Sequence, residues 1–151
     1  MMVNIEEVVL RLAAAAVGGL IIGLDRGLKN KPVGMRTLSL VALGSATVAV
    51  VALEVDGMVG HPDATSRVVQ GVVQGVMTGI SFIGAGVILR DRTAQRIHGL
   101  TTAGTVWIAA AIGIACGLGG WEIAFTALVI ALVVLVGLRW IEVLTRQDLD
   151  D

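Results

Sequence analysis

An all-α polytopic membrane fold of five transmembrane helices, running N-out to C-in, is predicted by three observations. The first is composition: 56% of the 151 residues are hydrophobic and only 15% are charged. With a mean hydropathy of +0.88, a soluble domain of this size could not hide so much apolar surface. The second is the arrangement of that surface in five segments, at about 5–24, 38–55, 68–89, 100–118 and 121–141. Most approach the roughly 20 residues that cross about 30 Å of hydrocarbon. The third is the placement of charge between the segments, which alternates in sign from one loop to the next.

The segment Ile5 to Leu24 is read as a span and not as a cleaved signal peptide, because Asn4, Glu6 and Glu7 stand where a basic flank is expected. Within it, Glu7 precedes Arg11 by one helical turn, a spacing that permits an ion pair near the outer surface. Arg26, Lys29, Lys31 and Arg36 follow this segment against Asp25 alone. Arg90, Arg92 and Arg96 follow the third against Asp91. Both basic loops are therefore assigned to the cytoplasm. Glu54, Asp56 and Asp63 dominate the loop between the second and third segments, where His61-Pro62-Asp63 is read as loop punctuation. The turn GLGGWE has no Lys or Arg, so both belong outside, and Arg139 and Arg146 return the C-terminus to the inside. No linker or internal repeat divides residues 1–151, which are read as a single membrane domain. Trp121 and Trp140 bracket the last segment at interfacial positions, whereas Trp107 falls deeper and is expected to pack. Cys116, the one cysteine, reads as a small packed hydrophobe.

Two segments carry small residues at four-residue spacing: Ala15, Gly19, Gly23 and Gly27 in the first, and Gly71, Gly75 and Gly79 in the third. That spacing sets each series on one helix face, where a second backbone can come close, within the chain or between two chains. Beside the second series run Gln70, Gln74 and Thr78, continued by Ser81. Buried amides need hydrogen-bond partners, so this stripe is expected to face protein or water. Two readings are open for it: hydrogen bonding between helices, or the wall of a polar path.

At the cytoplasmic ends, Asp25, Arg26, Arg36, Thr37, Arg90, Thr101 and Thr102 form a candidate polar cluster. Three roles compete for it. Charge pairing could pin the loops. The arginines and hydroxyls could hold an anion, a lipid head group or a partner protein, because they suit phosphate-like oxygens better than a bare cation. Or Asp25 could serve as a magnesium ligand on a path with Gln70, Gln74 and Thr78, since Mg²⁺ keeps most of its waters and takes one or two carboxylates. Arg26 beside Asp25 opposes the last. An enzyme is not expected: His61 and His98 are loop residues, and neither a Gly-Lys-Ser/Thr phosphate loop nor a nucleophile motif is present.

Three ordered motifs, GLDRGLKNKPVGMRTLSLVALG, GISFIGAGVILRDR and HGLTTAGTVWIAAAIGIACGLG, make the chain closely resemble the MgtC/SapB membrane-protein family. Asp25-Arg26 stands where the family commonly has Glu-Arg, which keeps the carboxylate one methylene shorter. Val33 to Thr37 matches its Ala-Gly-Leu-Arg-Thr-like turn, Ser81 to Gly86 its Gly-Phe-Leu-Gly-Ala-Gly-like run with serine for the first glycine, and Gly99 to Ala103 its Gly-Leu-Thr-Thr-Ala run. The resemblance implies a bacterial inner-membrane protein linked to magnesium limitation and, in pathogens, to survival inside host cells. It further implies modulation of other membrane machinery, including the proton-driven ATP synthase, more readily than transport. The expected protein is thus a multi-pass membrane domain, without the ACT-like C-terminal domain of some members, surrounded by lipid and forming a homodimer. No cofactor is expected beyond Mg²⁺ as a possible ligand, and no nucleic-acid partner. A magnesium channel or transporter is the alternative.

Overall fold

The structure, a computed structural model, describes residues 4–28, 33–54, 62–91 and 96–138. Five helices follow one another in it: α1 (Ile5–Leu28), α2 (Met35–Leu53), α3 (Pro62–Val87), α4 (Leu100–Gly117) and α5 (Trp121–Leu132). The last is continued by a π-helical turn, Val133–Gly137. The first four are long and apolar enough to cross a membrane, while α5 with its π turn makes a shorter apolar helix, Trp121–Gly137. The predicted span to 141 runs outside the described residues, as does Trp140. Phe82, Ile123 and Phe125 are 84%, 69% and 69% exposed, respectively, an outer surface suited to lipid and not to water.

Several boundaries move from their predicted places. Helix α3 begins six residues before 68, with Pro62 as its first residue and not as loop punctuation. Proline fits there because the first helical N–H has no intrahelical partner to lose. At its other end, the chain reverses through a two-stranded antiparallel hairpin, β1 (Leu89–Asp91) and β2 (Arg96–His98), with Arg90 opposite Ile97. This hairpin is the departure from an all-α chain among the described residues; three residues per strand are too few to leave a period in the sequence. Gly99 then enters α4 with φ +92°, and a Cβ there would stand 2.0 Å from the Val87 carbonyl oxygen. Only glycine combines that backbone with that contact.

Helix α4 occupies the centre, packed against α1, α2, α3 and α5. Its apolar window is 56% buried against 11% for α3, so α4 is the core helix and α3 a peripheral one. The core is made largely of small residues, Ala15, Ala42, Ala46, Ala109 and Ala110, with Ile22, Leu38 and Val106 among them. Small side chains bring the backbones together, which is how helices associate where lipid provides no hydrophobic drive. Cys116 lies in this core, buried as read. Trp107, by contrast, is 50% exposed and does not pack inside as expected. An indole at the middle of α4 therefore faces outward.

Near the start of α1, Arg11 and Glu7 form the ion pair that their spacing permits. Arg11, buried at 9% exposure, also donates from Nη1 to the Gly117 carbonyl oxygen at 2.7 Å. It thereby satisfies one of the carbonyls left open at the end of α4. This second contact ties α1 to α4 across 106 residues of sequence.

Candidate functional site

The predicted polar cluster divides on folding. Arg26, in the last turn of α1, is buried, and its Nη2 donates to Oγ1 of Thr102 in the first turn of α4, itself 2% exposed. Gly23 makes this possible: a Cβ on it would lie 2.4 Å from the Met35 Cα, so α1 and α2 meet backbone to backbone one turn before Arg26. The guanidinium is thus directed at α4. Its Nε has no hydrogen-bond partner among the described residues. Asp25, next to Arg26 in sequence, is half-buried. Arg36 and Thr37, in the first turn of α2, and Thr101, in the first turn of α4, are exposed at the same end of the bundle. Arg90 stands in β1, and its side chain lies outside the described residues.

An uncapped helix terminus joins this group. Gly99 supplies no side chain to the start of α4, and no acidic residue stands in its first turn. The first bond of the helix runs from the Ala103 N–H to the Gly99 carbonyl oxygen at 2.8 Å. The amides of Leu100, Thr101 and Thr102 therefore form an electropositive end with no acidic residue in the helix's own first turn.

The second candidate region, the polar stripe on α3, turns away from the bundle. Ile80 is buried and Gly84 approaches Ala103, so that side of α3 meets α4. Gln70, Gln74, Thr78 and Ser81 are exposed, with the Ser81 hydroxyl donating to the Met77 carbonyl oxygen at 2.8 Å. Beside them Gly71, Gly75 and Gly79 have nothing within 4 Å of where a Cβ would sit. Among the described residues, then, the stripe does not face an interior path, and nothing packs against these glycines. The α1 series behaves in the opposite way, since a Cβ on Gly19 would lie 2.4 Å from the Leu38 carbonyl oxygen. Among the described residues, no three His, Cys, Asp or Glu side chains gather where they could hold a metal ion.

Sequence reasoning missed the contacts of α4. Gly113 and Gly117 press on α2 so closely that added Cβ atoms would meet the carbonyl oxygens of Ala42 and Ala46 at 2.2 and 2.6 Å. Their four-residue spacing, with Ala42, Ala46 and Ala49 at matching intervals on α2, was the available signal. The pairing of Arg26 with Thr102 had only the polarity of both residues to announce it.

The three motifs that form these ends of α1, α3 and α4 lie within one family match: the MgtC family model covers residues 12–144. The chain belongs to the MgtC family. Similar proteins include SrpB of Synechococcus elongatus, 38% identical over 85% of this chain and 73% of its own length. SapB of Bacillus subtilis is 35% identical over 89% of this chain and 58% of its own. MgtC of Salmonella typhimurium is 38% identical over 82% of this chain and 49% of its own, so the chain spans about half the length of that relative. No solved structure matches it. The MgtC-family chain is accordingly a membrane protein, with four helices long and apolar enough to span a bilayer.

Proposed function

We propose that this MgtC-family protein is a modulator of other machinery in the bacterial inner membrane, acting in magnesium-linked homeostasis and in adaptation to stress or a host, and that it works as a homodimer. The observation that carries this reading is the outward α3 face. Gln70 and Gln74 are exposed on a membrane helix, and an amide in hydrocarbon is stable only with hydrogen-bond partners. Gly71, Gly75 and Gly79 beside them leave room for a second backbone to approach. Such a face is suited to meeting another helix. Amides both donate and accept, so the same face on a second copy is self-complementary about a two-fold axis. The proton-driven ATP synthase is among the further partners that the family resemblance brings forward. No catalytic activity is assigned.

A magnesium channel or transporter is the reading set against this one. It would need the stripe to be enclosed between copies and Asp25 to serve a cation with Arg26 alongside, and fixed positive charge so close disfavours a cation site. The test is magnesium flux into proteoliposomes of the full chain, alongside empty vesicles and the Asp25→Asn variant. The modulator reading expects wild-type flux equal to that of empty vesicles. Saturable flux that disappears in Asp25→Asn would overturn it.

A further inference from the structure

The buried polar side chains of the bundle are filled with one exception. Arg11 meets Glu7 and the Gly117 carbonyl oxygen, while Ser45 and Thr105 donate to carbonyl oxygens one turn earlier at 2.8 and 2.6 Å. Arg26 is 5% exposed in the last turn of α1, and its Nη2 meets Thr102 Oγ1. Its Nε is the buried side-chain donor left without an acceptor among the described residues. An unfilled donor on a charged group is costly, and more so in a span, where lipid offers no acceptor in place of water. An oxygen is therefore missing at this position.

The surroundings say what kind of oxygen it is. Nε and Nη2 share one edge of the guanidinium, the edge that meets phosphates and carboxylates. Asp25 does not fill the place on Nε, since adjacent positions on a helix do not face each other. Thr102 is the third residue of α4, so its bond to Nη2 sets the guanidinium beside the first turn of that helix. The amides of that turn have no intrahelical acceptor, Gly99 has no side chain to cap them, and no acid stands among them. A guanidinium edge from α1 and a helix N-terminus from α4 thus meet at one place, and both favour negative charge.

We infer that this junction of α1 and α4 is a binding site for a phosphate group, either free phosphate or the phosphate of a lipid head group, with one oxygen on Arg26 Nε and its charge toward the first turn of α4. Helix N-termini bind phosphate through free N–H groups and the aligned peptide dipoles. The tetrahedral oxygens of a phosphate suit donors that come from two directions. A carboxylate would lay both its oxygens along the guanidinium edge, where the Thr102 hydroxyl already meets Nη2. The inference does not depend on the modulator reading, because the α3 face takes no part in it.

Equilibrium dialysis of the full chain in detergent tests this inference, with radiolabelled inorganic phosphate in one arm, radiolabelled dihexanoyl phosphatidic acid in the other, and detergent alone as the blank for each. Saturable binding of one phosphate group per chain is expected in at least one arm. Tighter binding of the lipid assigns the site to a head group, and tighter binding of the inorganic ion assigns it to free phosphate. Arg26→Lys keeps the charge and removes Nε with its edge, so the tighter ligand should bind about tenfold more weakly, the loss of one charge-assisted hydrogen bond. Arg67→Lys makes the same exchange at an exposed arginine of α3 and should leave binding unchanged. The wild-type titrations decide by themselves if circular dichroism shows that Arg26→Lys does not fold. No saturable binding in either arm by folded wild type would overturn the inference and give Nε to a water. Unchanged binding in folded Arg26→Lys would overturn it as well, and so would displacement by acetate as readily as by unlabelled phosphate, since the place would then suit any carboxylate.

Discussion

The α1 face of Gly19 and Gly23 and the α3 face of Gly71, Gly75 and Gly79 repeat at the same four-residue interval, yet α2 backbone fills the first while nothing among the described residues meets the second. The neighbours of each series differ. Around Gly19 and Gly23 stand Ala15 and Ile22, both fully buried. Around Gly75 stand Gln70, Gln74 and Thr78, all exposed. Small-residue spacing thus announces that a backbone can come close, and the polarity of the adjacent stripe distinguishes an internal helix contact from a surface still waiting for a partner.

The sharpest way to break this comparison is to make one substitution on both faces. Gly23→Ala sets a Cβ 2.4 Å from the Met35 Cα, and neither backbone can yield cheaply, so a loss of about 3 kcal/mol is expected. Thermal unfolding in detergent, followed by circular dichroism, reads it. Arg11→Met probes the lock at the other end of the same helix. It removes the 2.7 Å bond to the Gly117 carbonyl oxygen and the partner of Glu7, and about 2 kcal/mol should go with it in the same assay. Gly75→Ala should have the smallest effect and the opposite sign: with open space around the new methyl, it should stabilise the monomer by up to about 1 kcal/mol through helix propensity. A destabilisation equal to that of Gly23→Ala would show that the two faces are not different in kind.

Most of the helices were legible because hydropathy acts along the sequence. Segments such as Leu100 to Leu118 announce themselves by length and apolarity alone. What that signal does not contain is which helix lies inside. Both α4 and α5 are apolar around their circumference, so periodicity favours neither, and the choice is made laterally by Gly113 and Gly117 against Ala42 and Ala46. The hairpin at Leu89–Asp91 and Arg96–His98 was illegible for a different reason, since strands of three residues rest on backbone pairing and not on pattern. At the candidate site the residue types and their shared end of the bundle were legible, and the choice of which side chains pair in the interior was not. Arg26 and Thr102 are 76 residues apart and joined by a side-chain contact. Arg36 and Thr37, with the same polarity, remain at the surface. Trp107 misled because depth along a span says nothing about direction around it.

The α3 face is expected to meet protein and not lipid, and disulfide cross-linking in native membranes tests that directly. In a Cys116→Ser background, single cysteines would be placed at Gln74 on this face and at Phe82, which is 84% exposed in the lipid-suited belt. The account predicts rapid oxidation of the Gln74→Cys protein to a covalent dimer or to an adduct with another membrane protein, with far less from Phe82→Cys. Equal, slow cross-linking at both positions would place the glutamine stripe against lipid and contradict it.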